Sequence, residues 1–106
     1  MSVPKIAISI KFKAIAGKEA QLAELLTGAA ELVKKTEPKT LYWYATQDKG
    51  EFTINDGFAD DSGVQAHFGG QVAAVLKAKA SELVVGGWEQ GILPNVARSN
   101  ILSTIK

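Results

Sequence analysis

The chain has 106 residues, of which 46% are hydrophobic and 22% are charged, and twelve basic against eleven acidic residues give a formal net charge of +1. These values are typical of an ordinary globular protein, and the length predicts one domain over residues 1–106. The sequence has no cysteine and one histidine, His67, which excludes disulfides, thiolate metal sites and multi-histidine metal sites, so no metal site is predicted.

The distribution of charge and hydropathy argues against two kinds of binding partner, nucleic acids and membranes. Basic and acidic residues are interspersed, so no basic stripe can follow a phosphate backbone, and no nucleic-acid partner is predicted. Residues 1–5 lack the charged-then-apolar order of a signal peptide, and no stretch approaches the roughly 20 apolar residues that span a bilayer. We therefore expect a soluble cytoplasmic protein without a membrane partner.

The first part of the chain predicts a strand followed by a helix. Large apolar residues alternate with small or charged ones over residues 5–12, which is the period of a strand with one buried face. After Gly17, apolar residues recur at helical spacing: Leu22, Leu25, Leu26, Ala29, Leu32 and Val33. Pro38 ends this helix, because the residue before a proline avoids helical backbone angles.

Two segments rich in aromatic and β-branched residues, 40–47 and 52–58, predict a hairpin. A two-residue turn at Lys49-Gly50 sets the register of the two strands. The predicted pairs are Trp43–Asp56, Leu41–Phe58 and Ala45–Ile54 on one face, and Tyr44–Asn55 and Tyr42–Gly57 on the other.

The second half of the chain predicts a helical region, an irregular crossing and a last strand. The tripeptide Asp60-Asp61-Ser62 can cap the helical region, and Gly69-Gly70 should interrupt or bend it. Its apolar side comprises Val64, His67, Phe68, Val72, Val75, Leu76 and Leu83. Glycines and a proline over residues 86–94 mark the crossing, and the last strand is expected over about residues 96–105.

The order strand, helix, strand, strand, helix, strand is the split βαβ plan of the ferredoxin-like α+β sandwich, with an antiparallel sheet. Helices cover only one face of such a sheet. The other face carries Tyr42 and Tyr44, and an exposed apolar face of that size predicts a homodimer formed through the open sheet face.

Three groups of residues resemble a known family. They are Gly17-Lys18-Glu19 at the start of the first helix, residues 37–41 at the start of the second strand, and the spacing of Asp56, Phe58 and His67. Together they resemble the antibiotic biosynthesis monooxygenase (ABM) family of dimeric α+β barrels, and residues 55–83 are especially similar to its quinol monooxygenase-like members. The resemblance covers roughly residues 5 to 83. It implies a dimeric α+β barrel and a cofactor-independent monooxygenase.

His67 and Asp56 are the candidate catalytic residues. His67 lies on the apolar side of its helix, and imidazole is the one ordinary side chain that exchanges protons near neutral pH. Asp56 interrupts an apolar stripe of its strand and must pair, be solvated in a cavity or shift its pKa. In the functional interpretation Asp56 orients His67, which takes a proton from a phenol or quinol. In the structural interpretation the two side chains tie the helix to the sheet.

Four aromatic residues are candidates for a substrate pocket. Trp43, Phe58 and Phe68 could line the site of a flat aromatic substrate, although such residues are more often core. Trp88, in the glycine-rich crossing, is either a lid over the pocket or an anchor for its own loop.

The function that this pattern favours is oxidation of a quinol or other electron-rich phenol by dioxygen, without a cofactor, on a small aromatic substrate. Two alternatives remain open at the level of sequence. One is a non-catalytic dimer that binds a small hydrophobic ligand, and the other is an isomerase or lyase that uses the same histidine base. A shared fold does not decide among them.

Overall fold

The computed structural model describes residues 3–105, in which four strands form one antiparallel sheet with the order β2-β3-β1-β4. The strands are β1 (Ile6–Lys13), β2 (Thr40–Asp48), β3 (Glu51–Phe58) and β4 (Val96–Asn100). The α-helices are α1 (Glu19–Thr36), α2 (Asp61–Phe68) and α3 (Gln71–Leu83). The predicted α+β, ferredoxin-like plan is confirmed. None of the helices within residues 3–105 is both long and apolar enough to cross a membrane.

The core lies between the sheet and the helices. β1 alternates strictly between buried and more exposed residues, and its buried members are Ile6, Ile8, Ile10 and Phe12. The helices contribute their apolar stripes to the same cluster, chiefly Leu22 and Leu26 from α1 and Leu76 and Ala80 from α3. One face of the sheet is therefore packed, as the period of two in β1 predicts.

The hairpin turns where the sequence predicts, because Lys49 and Gly50 both adopt positive φ, 54° and 82°, as a type I′ turn requires. Four of the five predicted pairs form, but the pairing of Leu41 with Phe58 is wrong. Thr40 pairs with Phe58 instead, because the register shifts between Thr40 and Tyr42. The extra residue of this irregularity is invisible to a count that assumes regular pairing.

The second helical region is two helices, α2 and α3, separated at Gly69-Gly70 as the glycines predict. Val75, predicted on the apolar side, is 40% exposed in α3. The crossing contains a π-helical segment, Gly87–Ile92, and a short 3-10 turn, Leu93–Asn95. The last strand is shorter than predicted: β4 ends at Asn100, and residues 101–105 continue without strand structure.

The other face of the sheet carries Tyr42 and Tyr44, whose rings stack with centroids 6.2 Å apart. The Tyr42 ring lies directly over Gly57 on β3, where a Cβ atom would overlap it. Glycine here leaves room for the neighbouring ring. Tyr44 is 53% exposed, so this aromatic pair presents apolar surface on the face that the helices leave open.

Candidate functional site

Three buried polar side chains meet between the sheet and the helices: Glu37, Asp56 and His67. His67 lies in the last turn of α2, on the side that packs against the sheet. Asp56 lies on β3, on the same face as buried Ile54 and Phe58, and has no exposed surface. Such burial is unusual for ionisable groups, which are rarely buried unless they are paired.

The imidazole of His67 contacts a carboxylate at each ring nitrogen. Nδ1 lies 2.5 Å from Glu37 Oε1, in a hydrogen bond. Nε2 lies 2.9 Å from Asp56 Oδ2, within ion-pair distance. The structure thus brings together the two predicted residues, Asp56 and His67, and adds a third.

Glu37 has no role in the predictions from sequence, although it opens the segment 37–41 that carries part of the family resemblance. It is the residue after α1, and its backbone N–H donates to the carbonyl of Val33 while Pro38 prevents the helix from continuing. The chain turns there toward β2, which places the Glu37 side chain beneath the end of α2. An acidic residue before a helix-ending proline is the only signal in the sequence, and it is a weak one.

The two contacts fix how many protons the cluster holds. A nitrogen lone pair facing a carboxylate oxygen at these distances would be repelled, so each contact must contain a proton. Two protons shared among one imidazole and two carboxyl groups leave one negative charge in excess. The cluster is therefore able to accept one further proton, and that proton would make it neutral.

The ends of two helices favour the ionised forms within this cluster. His67 lies at the carboxyl end of α2, where the helix dipole favours a positive charge. Glu37 lies beside Gly70, which precedes the first residue of α3, and the amino end of a helix favours a negative charge. The break at Gly69-Gly70 creates both helix ends at once and so supports an imidazolium next to a carboxylate.

The surroundings raise the pKa of both His67 and Asp56. Burial by itself would lower the pKa of His67, but the hydrogen bonds and charges of Asp56 and Glu37 outweigh it and hold that pKa above its ordinary value. Burial raises the pKa of Asp56, and the opposing contact with His67 does not overcome it. Both shifts mean that the folded protein holds protons here more tightly than the unfolded chain does.

A cleft of about 530 Å³ opens beside the cluster, between the end of α1, the start of β2 and the junction of α2 with α3. Glu37 and His67 form part of its wall, and the other lining residues are Thr36, Pro38, Lys39, Thr40, Ala66, Gly69, Gly70, Gln71 and Ala74. Asp56 lies deeper, behind His67. The cleft has the volume of a site for a small organic ligand.

None of the four aromatic residues that were predicted to form the walls of a substrate pocket lines this cleft. Phe58 and Phe68 pack against the imidazole, with ring centroids 5.4 and 5.5 Å from that of His67. Trp43 lines a separate groove between α1 and β2, and Trp88 packs on the core from the π-helical segment. Their role in substrate binding stays a prediction.

In the described part of the chain, Glu37 Oε2 and Asp56 Oδ1 have no hydrogen-bond partner, and the contact with His67 is the one polar contact of Asp56 Oδ2. Buried polar atoms without partners are uncommon in folded proteins and are typical of functional sites. Within residues 3–105 no group of three or more histidine, aspartate and glutamate side chains is arranged to hold a metal ion.

Known structures resemble this chain over most or all of its length. A Nitrosomonas europaea protein of unknown function superposes on it with a TM-score of 0.87 and is 32% identical in sequence, over 100% of this chain and 97% of that one. The chain belongs to the same family as this protein. The function of the Nitrosomonas relative is unknown, so it identifies neither a substrate nor a reaction.

Two more distant structures identify the wider fold group. Both are designated candidate antibiotic biosynthesis monooxygenases, one from Chloroflexus aurantiacus and one from Bacteroides thetaiotaomicron. The first is 13% identical with a TM-score of 0.72, over 96% of this chain and 97% of that one. The second is 16% identical with a TM-score of 0.68, over 95% of this chain and 90% of that one. The predicted resemblance to ABM proteins is confirmed at the level of the fold.

No family model matches the chain, and no curated protein matches it.

Proposed function

We propose that this protein is a cofactor-independent monooxygenase that oxidises a quinol or another electron-rich phenol with dioxygen. The observation that carries the proposal is the position of His67: a buried imidazole, held between two carboxylates, forms part of the wall of a cleft of about 530 Å³. The ABM-like fold of the chain is consistent with such an activity.

The chemistry requires a group that removes a proton and a cleft that holds an aromatic ring. The Glu37–His67–Asp56 cluster accepts one proton from the phenolic hydroxyl, and the resulting anion is the form that gives electrons to dioxygen. For a hydroquinone, one oxygen atom enters the ring and the other leaves as water, so that quinol and dioxygen yield a hydroxyquinone and water. The substrate supplies all the electrons, and no redox cofactor is required.

Lys39 completes the electrostatics of the cleft. Lys39 is an exposed residue of the cleft wall, and its ammonium group donates a hydrogen bond of 3.2 Å to Ser62, which lies beside the cleft lining. A positive charge at the rim stabilises a phenolate formed inside the cleft. The cleft therefore has both a proton acceptor and a lysine residue in its wall.

We also propose that the protein works as a homodimer joined through the open face of the sheet. The stacked Tyr42 and Tyr44 rings present apolar surface on this face, and the helices pack only on the other one. A second copy of the chain, placed face to face, would bury this surface.

The direct test is dioxygen uptake with a panel of hydroquinones and anthrones, measured above the autoxidation background without added cofactor. The variants are His67→Gln and, as a matched control on the same helix, Gln65→Ala, whose side chain is exposed. Uptake by the wild type that His67→Gln abolishes and Gln65→Ala retains is the expected result. If the wild-type protein gives no enhancement with any compound of the panel, the monooxygenase proposal is wrong and a ligand-binding protein becomes the better interpretation.

A further inference from the structure

A chain of hydrogen bonds connects the cleft to the buried imidazole through Thr40 and Glu37. We propose that the substrate's proton passes through the Thr40 hydroxyl to Glu37, so that Thr40 is the residue that touches the reacting oxygen and Glu37 is the acceptor. This inference rests on the proposed function, because it assumes that the cleft binds a phenol. It assigns the first proton transfer to two residues that the sequence did not single out.

His67 has no nitrogen free to take the proton directly. Nδ1 contacts Glu37 Oε1 at 2.5 Å and Nε2 contacts Asp56 Oδ2 at 2.9 Å, so a carboxylate oxygen occupies each ring nitrogen. The imidazole therefore has no lone pair to offer to the cleft, although its ring forms part of the wall. A further proton must enter the cluster at a carboxylate oxygen.

Of the two carboxylates, only Glu37 borders the cleft. Asp56 is fully buried on β3, behind the imidazole. Glu37 Oε2 is itself covered by the backbone at Gly70, where a Cβ atom would lie only 3.0 Å from that oxygen. Direct contact between substrate and Oε2 is thereby blocked, and Oε1 remains as the connected oxygen.

Thr40 provides that connection. Its hydroxyl donates a hydrogen bond of 3.2 Å to Glu37 Oε1, and the residue lines the cleft at the start of β2. A hydroxyl has one donor and two acceptor positions, so Thr40 can still accept a hydrogen bond from a substrate hydroxyl while it donates to Glu37. The other threonine of the cleft, Thr36, donates instead to the carbonyl of Leu32 at 2.7 Å and has no contact with the cluster.

The proton balance of the step closes. The substrate O–H bond breaks and its proton binds Thr40 Oγ1, while the Thr40 proton moves to Glu37. The cluster gains one proton and becomes neutral, and the substrate oxygen keeps the electron pair as a phenolate near Lys39. The charged and titratable groups that face this path are Glu37, His67 and Asp56 on the inner side and Lys39 at the rim.

The test follows the loss of a proton from a probe phenol in stopped-flow mixing. The probe is para-nitrophenol, whose anion absorbs visible light and whose neutral form does not, mixed with excess protein at a pH where the free probe is mostly neutral. The variants are Thr40→Val, which removes the hydroxyl and keeps the shape, and Thr40→Ser, which restores it. Thr27→Val is the control, because the Thr27 hydroxyl donates to the carbonyl of Ala23 at 2.8 Å and the residue does not line the cleft. Dioxygen uptake is measured on the same proteins.

The expected loss in Thr40→Val is on the order of a hundredfold in the rate of phenolate formation, the low end of what general-base catalysis contributes. Thr40→Ser and Thr27→Val should stay within a few-fold of the wild type. If Thr40→Val forms phenolate at the wild-type rate, or if the wild type forms no phenolate, the proposed proton transfer through Thr40 is wrong. If phenolate forms as expected but neither the wild type nor any variant consumes dioxygen, the proton transfer through Thr40 is supported and the monooxygenase proposal is wrong.

Discussion

Glu37 Oε1 and His67 Nδ1 lie 2.5 Å apart although 30 positions separate the two residues in the sequence. The contact joins the end of α1 to the end of α2, and both side chains are nearly inaccessible to water. A buried ionisable group costs free energy unless its partner is present. The pair is therefore both a structural tie between two helices and the part of the candidate site that faces the cleft.

Removing the Glu37 carboxylate should destabilise the fold strongly. In Glu37→Ala both the His67 Nδ1–H and the Thr40 hydroxyl lose the oxygen that accepts their hydrogen bond. We therefore expect the free energy of unfolding to fall by about 3–5 kcal/mol. Urea denaturation measures this quantity. Glu31→Ala, at an exposed position of α1, is the matched control and should change the free energy of unfolding by less than about 0.5 kcal/mol.

The pKa shifts predict that stability falls as the pH rises. The pKa of His67 is raised, so its contribution is fully present below the unfolded value of about 6.5 and is lost as the pH rises through the folded pKa. The raised pKa of Asp56 acts in the same direction, because the folded state again binds the proton more tightly. Thermal unfolding between about pH 5 and about pH 9 measures the slope.

His67→Gln removes the imidazole and should flatten the upper part of that pH dependence. Asp56→Asn should remove the contribution of the carboxylic acid and also weaken that of His67, because Asp56 is one of the two carboxylates that raise the pKa of His67 against the effect of burial. A wild-type protein whose melting temperature rises steadily with pH across this range would contradict the assignment of raised pKa values to this cluster.

The sequence was sufficient for the fold because its strongest signals are local. The alternation that buries Ile6, Ile8 and Ile10 and the helical spacing of Leu22 and Leu26 each predict one element, and the structure confirms both. The error in the predicted pairing of Leu41 with Phe58 arises from tertiary structure and not from a local sequence signal. The tertiary surroundings of β2 favour a bulge with one extra residue, and no local sequence pattern predicts it.

The same difference between local and tertiary signals explains which residues of the candidate site could be predicted. Asp56 and His67 stood out because each is a polar residue on an apolar stripe, and the structure places them 2.9 Å apart. Glu37 did not stand out, because it lies outside any periodic element, and only the path of the chain after α1 shows that it is buried. The cleft also escaped prediction, since it forms where three separate segments meet.

The Gly69-Gly70 break offers a test of how closely the Glu37 carboxylate must be placed. In Gly70→Ala the new Cβ atom would lie 3.0 Å from Glu37 Oε2 and 3.1 Å from the carbonyl oxygen of Ala66, so the carboxylate must move. Overpacking of this kind costs about 1–3 kcal/mol of stability. We expect dioxygen uptake to fall by roughly tenfold or more, since a small displacement of a proton acceptor weakens general-base catalysis.

Gly69→Ala is the matched control, because its Cβ atom would meet only the carbonyl oxygen of Gln65, at 3.4 Å. Both glycines have negative φ, −91° and −89°, so neither substitution strains the backbone itself. Equal losses of activity in the two variants would indicate that the helix junction as a whole matters and that the position of Glu37 does not.

The open sheet face predicts an effect of charge on assembly. Tyr44 is 53% exposed and stacks on Tyr42, so Tyr44→Glu would place a carboxylate at the proposed contact between two copies of the chain. We expect this variant to sediment as a monomer where the wild type sediments as a dimer, because a buried unpaired charge at an interface is strongly unfavourable. Gln21→Glu adds the same charge on the exposed side of α1, away from this face, and should leave the assembly unchanged. A wild-type protein that sediments as a monomer at all concentrations would rule out the dimer, whereas a dimer that persists in Tyr44→Glu would place its interface on another surface.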